Sequence, residues 1–182
     1  MPSELEQTPA SIAPETTPFD ACAITRDGTE LHLRAIGPDD EPLLQDLFTH
    51  MSQDDRRMRF FIAIGVLSHE FAARLCRAAY PQELALVALQ GREPLGITRY
   101  AAESGERRAE YAIAVRSDWK GRGVGYVLLT HLIAAARGAG LTELFGDVLA
   151  ENQRMIAMCR DFGFHVEHHP GDAGLLRLRK PI

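Results

Sequence analysis

The chain has 182 residues, enough for one well-buried domain and too few for two of ordinary size. With 46% apolar and 25% charged residues it has the composition of a globular protein, and a formal net charge of -5 argues against general nucleic-acid binding. No apolar run approaches the roughly 18 residues of a membrane span, so a membrane partner is not expected either.

The first twenty residues, "MPSELEQTPASIAPETTPFD", hold four prolines and four acids, no Lys or Arg, and no apolar core of a signal peptide. A flexible acidic tail over residues 1–20 is expected, followed by one domain over residues 21–182. Cys22, Cys76 and Cys159 are an odd set without C-x-x-C spacing, which fits a reducing, cytoplasmic setting better than a disulfide framework or zinc knuckle. From Ala21, "ACAITRDGTELHLRAI" predicts two short strands around an Asp27-Gly28 turn, with Leu31, Leu33 and Ala35 alternating. "PDDEPLLQDLFTHM" predicts a helix capped by Asp39 or Asp40, with Pro42 in its first turn and Leu43, Leu44, Leu47, Phe48 and Met51 on one stripe. A short helix over Ser52 to Arg59 and another from His69 to about Ala79 follow.

Three strands come next, "ELALVALQ", "PLGITRYAA" and "AEYAIAVRS", separated by turn signals at Gly91 to Pro94 and Ser104-Gly105. The remaining elements are a helix from Gly123 to about Arg137, a strand "LTELFGDVLA", a helix from Glu151 to Asp161 stopped at Gly163, and two strands around Pro170-Gly171. This order makes a mixed α+β domain and not a regular βαβ alternation.

Between the third strand of the meander and the long helix lies "VRSDWKGRGVGYVLL". A strand end, a glycine-rich loop and a helix start put several unpaired amides at one helix N-terminus, where the dipole also favours an anion. Gly121, Gly123 and Gly125 lack a Cβ, so a pyrophosphate can approach the backbone closely. Equally, the loop can be one that needs positive φ angles and tight helix–sheet packing. No Gly-Lys-Ser/Thr follows, which excludes a Walker A loop, and G-x-G-x-G after a late strand disfavours a dinucleotide fold.

The stretch resembles the acyl-CoA-binding motif of the GCN5-related N-acetyltransferase (GNAT) family, Gln/Arg-x-x-Gly-x-Gly/Ala, with Lys120, Gly123 and Gly125 at its three positions. Lys stands where Gln or Arg is usual. The resemblance covers about residues 29–182, including "LRAIGPDDEPLL" and "ENQRMIAMCRDFGF". More narrowly, "MRFF", "YPQELALVAL", "AEYAIAVRSDWKGRGVG" and "GDVLAENQRMIAMCRDFGF" resemble the acetyltransferase domain of bacterial Pat-type protein lysine acetyltransferases, which modify AMP-forming acyl-CoA synthetases. The large synthetase-like or regulatory domain that such proteins often carry does not fit into this chain.

The resemblance implies a single GNAT-like α+β domain: a mixed, mostly antiparallel sheet of about seven strands, splayed at two central parallel strands, with helices on both faces. Those two strands would be "AEYAIAV" and "TELFGDVL". It further implies acetyl-CoA as co-substrate and no metal. Backbone groups of Ile113, Ala114 and Val115 would hold the pantetheine arm, and Lys120, Gly121, Arg122, Gly123, Val124, Gly125 and Tyr126 would surround the pyrophosphate. Asn152 matches a position that often contacts the arm, although Asn at a helix start is also an ordinary cap.

An acceptor lysine, with a pKa of about 10.4, must lose a proton before it attacks a thioester. The Pat resemblance places the catalytic base at Glu110, where partial burial on an apolar strand is expected to raise its pKa. From the residues alone, Glu110 reads as a solvated partner of Arg107 or Arg108. Many family members carry Tyr where this chain has Cys159, so no general acid is assigned. His165 faces opposite to His168 on its strand, and with His169 they lack a fourth donor for a metal. Arg56, Arg57 and Arg59 form a basic patch beside Phe60 and Phe61, by default a solvated helix face, on what the resemblance makes the acceptor side. The expected activity is acetyl-CoA-dependent acetylation of a protein lysine, with an acyl-CoA synthetase as partner. A small-molecule amine acceptor and a non-enzymatic acyl-CoA sensor are the alternatives, and the intact Glu110 and glycine loop favour an enzyme.

Overall fold

The computed structural model describes residues 19–182, so the expected tail lies, apart from Phe19 and Asp20, outside the described residues. The chain runs through β1 (Asp20–Ile24), β2 (Glu30–Ala35), α1 (Glu41–Thr49), α2 (Gln53–Phe60), α3 (His69–Leu75), β3 (Glu83–Gln90) and β4 (Glu93–Ala102). It continues through β5 (Arg108–Val115), α4 (Val124–Gly138), β6 (Glu143–Leu149), α5 (Gln153–Asp161), β7 (His165–His168) and β8 (Leu175–Pro181). One sheet takes the order β1-β2-β3-β4-β5-β6-β8-β7. It has eight strands and not about seven, because the first hairpin supplies two. No helix among the described residues is long and apolar enough to cross a membrane.

Burial follows the strand alternation. In β3, Leu84, Leu86 and Ala88 face one side and Ala85, Val87 and Leu89 the other, and all six are buried. A strand apolar on both faces needs a layer over each. On one face Leu44 and Phe48 of α1 and Ala72 and Leu75 of α3 pack on Ala85, Val87 and Leu89. On the other, the α4 stripe Val124, Leu128, Leu132 and Ala136 is buried against β2 to β5, and Ile156 and Cys159 of α5 extend the same layer. Fully burying side chains of this size stabilises by about 1.5–3 kcal/mol each, so the two layers fix the sheet between them.

Local chemistry sets most helix ends. Ser52 and Ser68 accept hydrogen bonds from Asp55 N–H and Phe71 N–H at 3.1 and 3.2 Å, ordinary N-caps of α2 and α3. Asp40 stands at the N-cap of α1 but its carboxylate accepts from Arg34 at 2.6 and 2.8 Å and from Gly37 N–H at 2.7 Å, tying the helix entry to β2. Helix α3 ends at Leu75, short of the expected Ala79. Ala79 instead gives its carbonyl to Glu83 N–H at 2.8 Å, turning the chain into β3.

The sheet forks at its centre. Strands β5 and β6 are its one parallel neighbour pair and stay in register for three residue pairs, Arg108 with Glu143, Ala109 with Leu144, and Glu110 with Phe145. Beyond these, β5 remains paired with β4 as far as Val115, and β6 with β8 as far as Leu149. Tyr111 stands at the fork, its ring 5.1 Å from Phe164 and its hydroxyl 3.1 Å from Cys159 Sγ. A Cβ on Gly146 would lie 2.9 Å from the Tyr111 ring and 3.0 Å from the Tyr111 carbonyl oxygen. Gly146→Ala should therefore destabilise the protein by about 1–3 kcal/mol, because neither the buried ring nor a strand carbonyl yields easily. Thermal melting checks this, and an unchanged melting temperature would show that the fork has room to spare.

Candidate active site

The fork opens into a cleft of about 930 Å³ bounded by β5, the start of α4 and the first turns of α5. Arg116 N–H donates to Leu95 C=O at 2.9 Å, which fixes the alternation along β5. Ala114 and Ala112 therefore direct their main-chain groups to β4, whereas Ile113 and Val115 direct theirs across the fork, where β6 no longer pairs with them. Of the three residues expected to offer backbone groups here, two do so and Ala114 contributes only surface.

At the far end of the cleft, Gly121 and Gly123 have φ of 81° and 98°, a left-handed backbone that side chains rarely adopt. A Cβ on Gly123 would sit 3.1 Å from Arg26 N in the first hairpin, so this glycine is also a packing requirement. The first main-chain bond of α4 runs from Val127 N–H to Gly123 C=O at 3.1 Å. Amides from Gly121 to Tyr126 find no backbone acceptor among the described residues. The loop therefore has the positive φ angles and the tight packing of the second reading, and its free amides leave room for the first. The Val124 side chain belongs to the core, and neither Val124 nor Arg122 lines the cleft. Arg122 lies over the Trp119 ring at 4.4 Å and 3.9 Å from Asp27. Tyr126 donates to Asp161 at 2.5 Å and packs on Phe162, joining α4 to the end of α5.

Lys120 lines the cleft, but its ammonium is paired with Asp55 of α2. Ser117 Oγ donates to the same carboxylate at 2.5 Å and accepts from Ser52 N–H at 2.7 Å, and Ser117 N–H donates to His50 C=O at 3.1 Å. Burial pushes the Asp55 carboxyl up, and Lys120 and Ser117 outweigh it, holding the group below the usual carboxylate range. On the other side of α2, Arg57 donates to Glu151 at 2.6 Å, just before α5. Helix α2 is thereby strapped across the cleft from both flanks. Asn152 accepts from Met155 N–H at 3.2 Å as the N-cap of α5 while also lining the cleft.

Glu110 also lines the cleft. It is exposed, against the partial burial expected of it, because its side chain points to the sheet face that α4 and α5 do not cover. Neither neighbouring arginine pairs with it: Arg107 donates to Gly140 C=O at 3.0 Å and Arg108 approaches Glu106 at 3.6 Å. Glu110 makes no ion pair or side-chain hydrogen bond among the described residues, while its charge is felt by Arg59 and Arg177. The supposed basic patch of α2 divides into three separate roles. Arg56 stacks on Phe48 at 4.2 Å and donates to Gly65 C=O, Arg57 holds Glu151, and Arg59 faces the cleft.

Tyr111 and Cys159 are the pair that sequence reasoning missed. The helix position that carries Cys159 receives a hydroxyl from the strand beneath it, and the two buried groups share one hydrogen bond. Burial, then Cys159, pushes Tyr111 far above the usual phenol range, and burial pushes the Cys159 thiol up to about 11. Alternation on β5 was the available signal, since it turns Tyr111 inward. His169 lies 3.4 Å from Asp147, and no group of three or more ligating side chains that could hold a metal occurs among the described residues.

The model of the Acetyltransferase (GNAT) family matches residues 44–164. This chain belongs to the GNAT family. The GNAT domain of S. lividans PAT superposes on it with a TM-score of 0.85 at 28% identity, covering 90% of this chain and 97% of that one. An acetyltransferase of Pseudomonas aeruginosa is 30% identical over 151 residues, 81% of each chain. A cAMP-binding acyltransferase from Mycobacterium smegmatis shares the fold at a TM-score of 0.62 and 20% identity, covering 91% of this chain and 48% of that one. The chain is thus a GNAT acetyltransferase, a class of N-acetyltransferases that use acetyl-CoA, built on one α+β domain with a mixed sheet.

The strap across the acetyltransferase cleft has a pH signature. A carboxyl held low in the folded state contributes stability above its unfolded pKa of about 3.9, and loses that contribution as pH falls through the folded value. Asp55→Asn should therefore melt below the wild type at pH 7, and the gap should close below about pH 4. Equal melting temperatures at neutral pH would mean that Asp55 does not hold α2.

Proposed function

We propose that this acetyltransferase moves the acetyl group of acetyl-CoA onto a lysine side chain of a protein, an AMP-forming acyl-CoA synthetase, with Glu110 as general base. The observation that carries the proposal is Glu110 itself: a carboxylate with no ion pair or side-chain hydrogen bond among the described residues, on the last residue of β5 that still pairs with β6, at the opening of the cleft. The Pat-type sequence resemblance supports the choice of a lysine and of a synthetase. Beyond α2, the sheet face that carries Glu110 is lined by Phe145, Asp147, Arg177 and Arg179 in place of a helix. A folded acceptor can reach such a face.

The cleft fits acetyl-CoA. Its volume, the free main-chain groups of Ile113 and Val115, and the amides of Gly121 to Tyr126 match a thioester on a long amide-bearing arm that ends in a pyrophosphate. Acetyl-CoA supplies the activated acyl group. Ile113 and Val115 would hold the amide-bearing arm against β5, and the loop amides would hold the diphosphate. Lys120, already paired with Asp55, would act chiefly by fixing α2. Glu110 would take one proton from the lysine ammonium; the neutral nitrogen then attacks the acetyl carbonyl carbon, the C–S bond breaks as the N–C bond forms, and the second proton of that nitrogen goes to water or to the departing CoA sulfur. The CoA thiolate can leave unaided, since a thiol pKa is about 8.5.

Glu110→Gln keeps size and reach but cannot accept a proton. It should retain acetyl-CoA affinity and lose about 10²- to 10⁴-fold in turnover, with partial rescue at high pH as more of the acceptor arrives neutral. Incubation with acetyl-CoA and acetyl-CoA synthetase, read by mass spectrometry, should show one dominant modified lysine with the wild type and almost none with Glu110→Gln. Diffuse labelling at the enzyme-free rate would move the acceptor to a small amine, and near-normal turnover of the Gln variant would remove Glu110 as the base.

The loop has its own test. Gly123→Ala forces a side chain onto a left-handed backbone, costing about 1–2 kcal/mol, and should weaken acetyl-CoA binding while some fold remains. Gly121→Ala serves as the comparison, because its Cβ would meet nothing within 4 Å. Calorimetric titration should show weaker affinity for both variants, and unchanged affinity in both would take the diphosphate away from this loop.

A further inference from the structure

Two guanidinium groups near Glu110 make no ion pair with it or with any other carboxylate among the described residues. Arg59 projects from α2, and Arg99 from β4 directly across from Ala112, so that Arg99 and Glu110 are diagonal neighbours on one sheet face. Neither arginine makes a hydrogen bond or an ion pair among the described residues, whereas Arg56 and Arg57 on the same helix do. Arg59 has only the Phe60 ring for company, with its guanidinium carbon 4.8 Å from the ring centroid. Both side chains are half-buried. Burial pushes Arg59 down to about 10, and repulsion from Arg99 adds to it against the pull of Glu110.

Both line a side cavity of about 40 Å³ that is otherwise walled mostly by apolar side chains such as Leu47, Phe48, Phe71 and Ile97, and that meets the main cleft at Arg59, Met51 and Ala112 to Ala114. Its apolar walls leave that junction as the place where an anion can meet the two guanidinium groups. Two like charges facing a partly desolvated space are unfavourable unless an anion completes them, and a planar fork of donors suits a carboxylate above other small anions. Uncompensated charge of this sort is characteristic of a site that waits for its ligand.

We propose that Arg59 and Arg99 form an anion-reading subsite of the acceptor cleft, which selects amines that carry a carboxylate close to the reacting nitrogen. In a protein acceptor the carboxylate belongs to an Asp or Glu beside the lysine. In a small acceptor it is the amino acid's own. The proposal rests on the reading that the acceptor nitrogen meets Glu110, and it adds the chemical class of what accompanies that nitrogen.

The subsite leaves a mark on the free protein. Removing one of two repelling charges relieves strain, so Arg99→Gln should melt above the wild type at low ionic strength by roughly 2–4 °C, and the gap should shrink in 1 M sodium chloride. A purely structural arginine would give the opposite sign. Sodium acetate, compared with sodium chloride at equal ionic strength, should raise the melting temperature of the wild type more than that of Arg59→Gln or Arg99→Gln. A melting temperature of Arg99→Gln at or below the wild type, together with an acetate response equal in all three proteins, would overturn the subsite. That result would leave the role of Glu110 untouched, since Glu110→Gln is read through turnover. Two lysine peptides that differ only by Asp or Asn beside the acceptor, and free lysine, then distinguish the sources. Wild type should prefer the Asp peptide by about tenfold and Arg99→Gln should lose that preference, as expected for one charge-assisted contact. Preference for free lysine over both peptides would assign the carboxylate to the acceptor itself, and equal use of all three by the wild type would count against any reading of an anion.

Discussion

Everything in this domain follows from the shortness of one strand pairing. Strands β5 and β6 share only three residue pairs before they part, yet neither frays, because each keeps its other neighbour for several residues more. Backbone polar groups in a sheet normally find partners. Here those of Ile113 and Val115 are left facing a cleft by the fold itself. Holding the strands apart requires a wedge and a place for it. Tyr111 is the wedge, Gly146 provides the place, and Cys159 and Phe164 receive the ring from below.

The cleft is then closed on its other side by a helix with one apolar anchor, the Phe60 ring packed on Phe48 and Phe71. No residue of α2 is buried, and a helix of eight residues with such a face is marginal by itself. Ion pairs and hydrogen bonds to the loop before α4 and the turn before α5 add to that anchor. Lys120 to Asp55 and Arg57 to Glu151 therefore couple the position of Arg59 to both walls of the cleft. Any ligand that contacts the glycine loop acts on Lys120 and, through its pairing with Asp55, on helix α2.

Much of this was legible in the sequence, for identifiable reasons. The apolar run in "ELALVALQ" marked β3 as a strand, glycine spacing exposed the loop because positive φ has few other solutions, and start and stop signals placed α4 between Gly123 and about Arg137. The illegible part concerns partners distant in the chain. Asp55 and Lys120 stand 65 residues apart and Arg57 and Glu151 stand 94 apart, and no local pattern marks either pair. Three arginines in five residues look like one solvated patch in sequence, but helical geometry sends them to Phe48, to Glu151 and into the cleft. The expected burial of Glu110 failed for a related reason. Its strand is apolar on one face only beyond β4, and which helices cover the other face depends on topology, not on the strand.

That exposure changes how the proposed base would work. A buried carboxylate must pass its proton through a relay before it can act again. Glu110 reaches solvent directly, so the proton taken from an acceptor can leave to water within the same opening. A helix-free sheet face that admits a folded acceptor also admits that water, and the same omission of a covering helix serves both. Arg59 and Arg177 feel the charge of the carboxylate and Arg99 is its diagonal neighbour on the sheet face, Arg177 being itself paired with Asp147. An acceptor ammonium entering there meets like charge unless it brings an anion with it, and like charge favours the neutral, nucleophilic amine. In the proposed reaction the arginines therefore favour an acceptor whose own anion offsets them, and removal of the proton remains the task of Glu110.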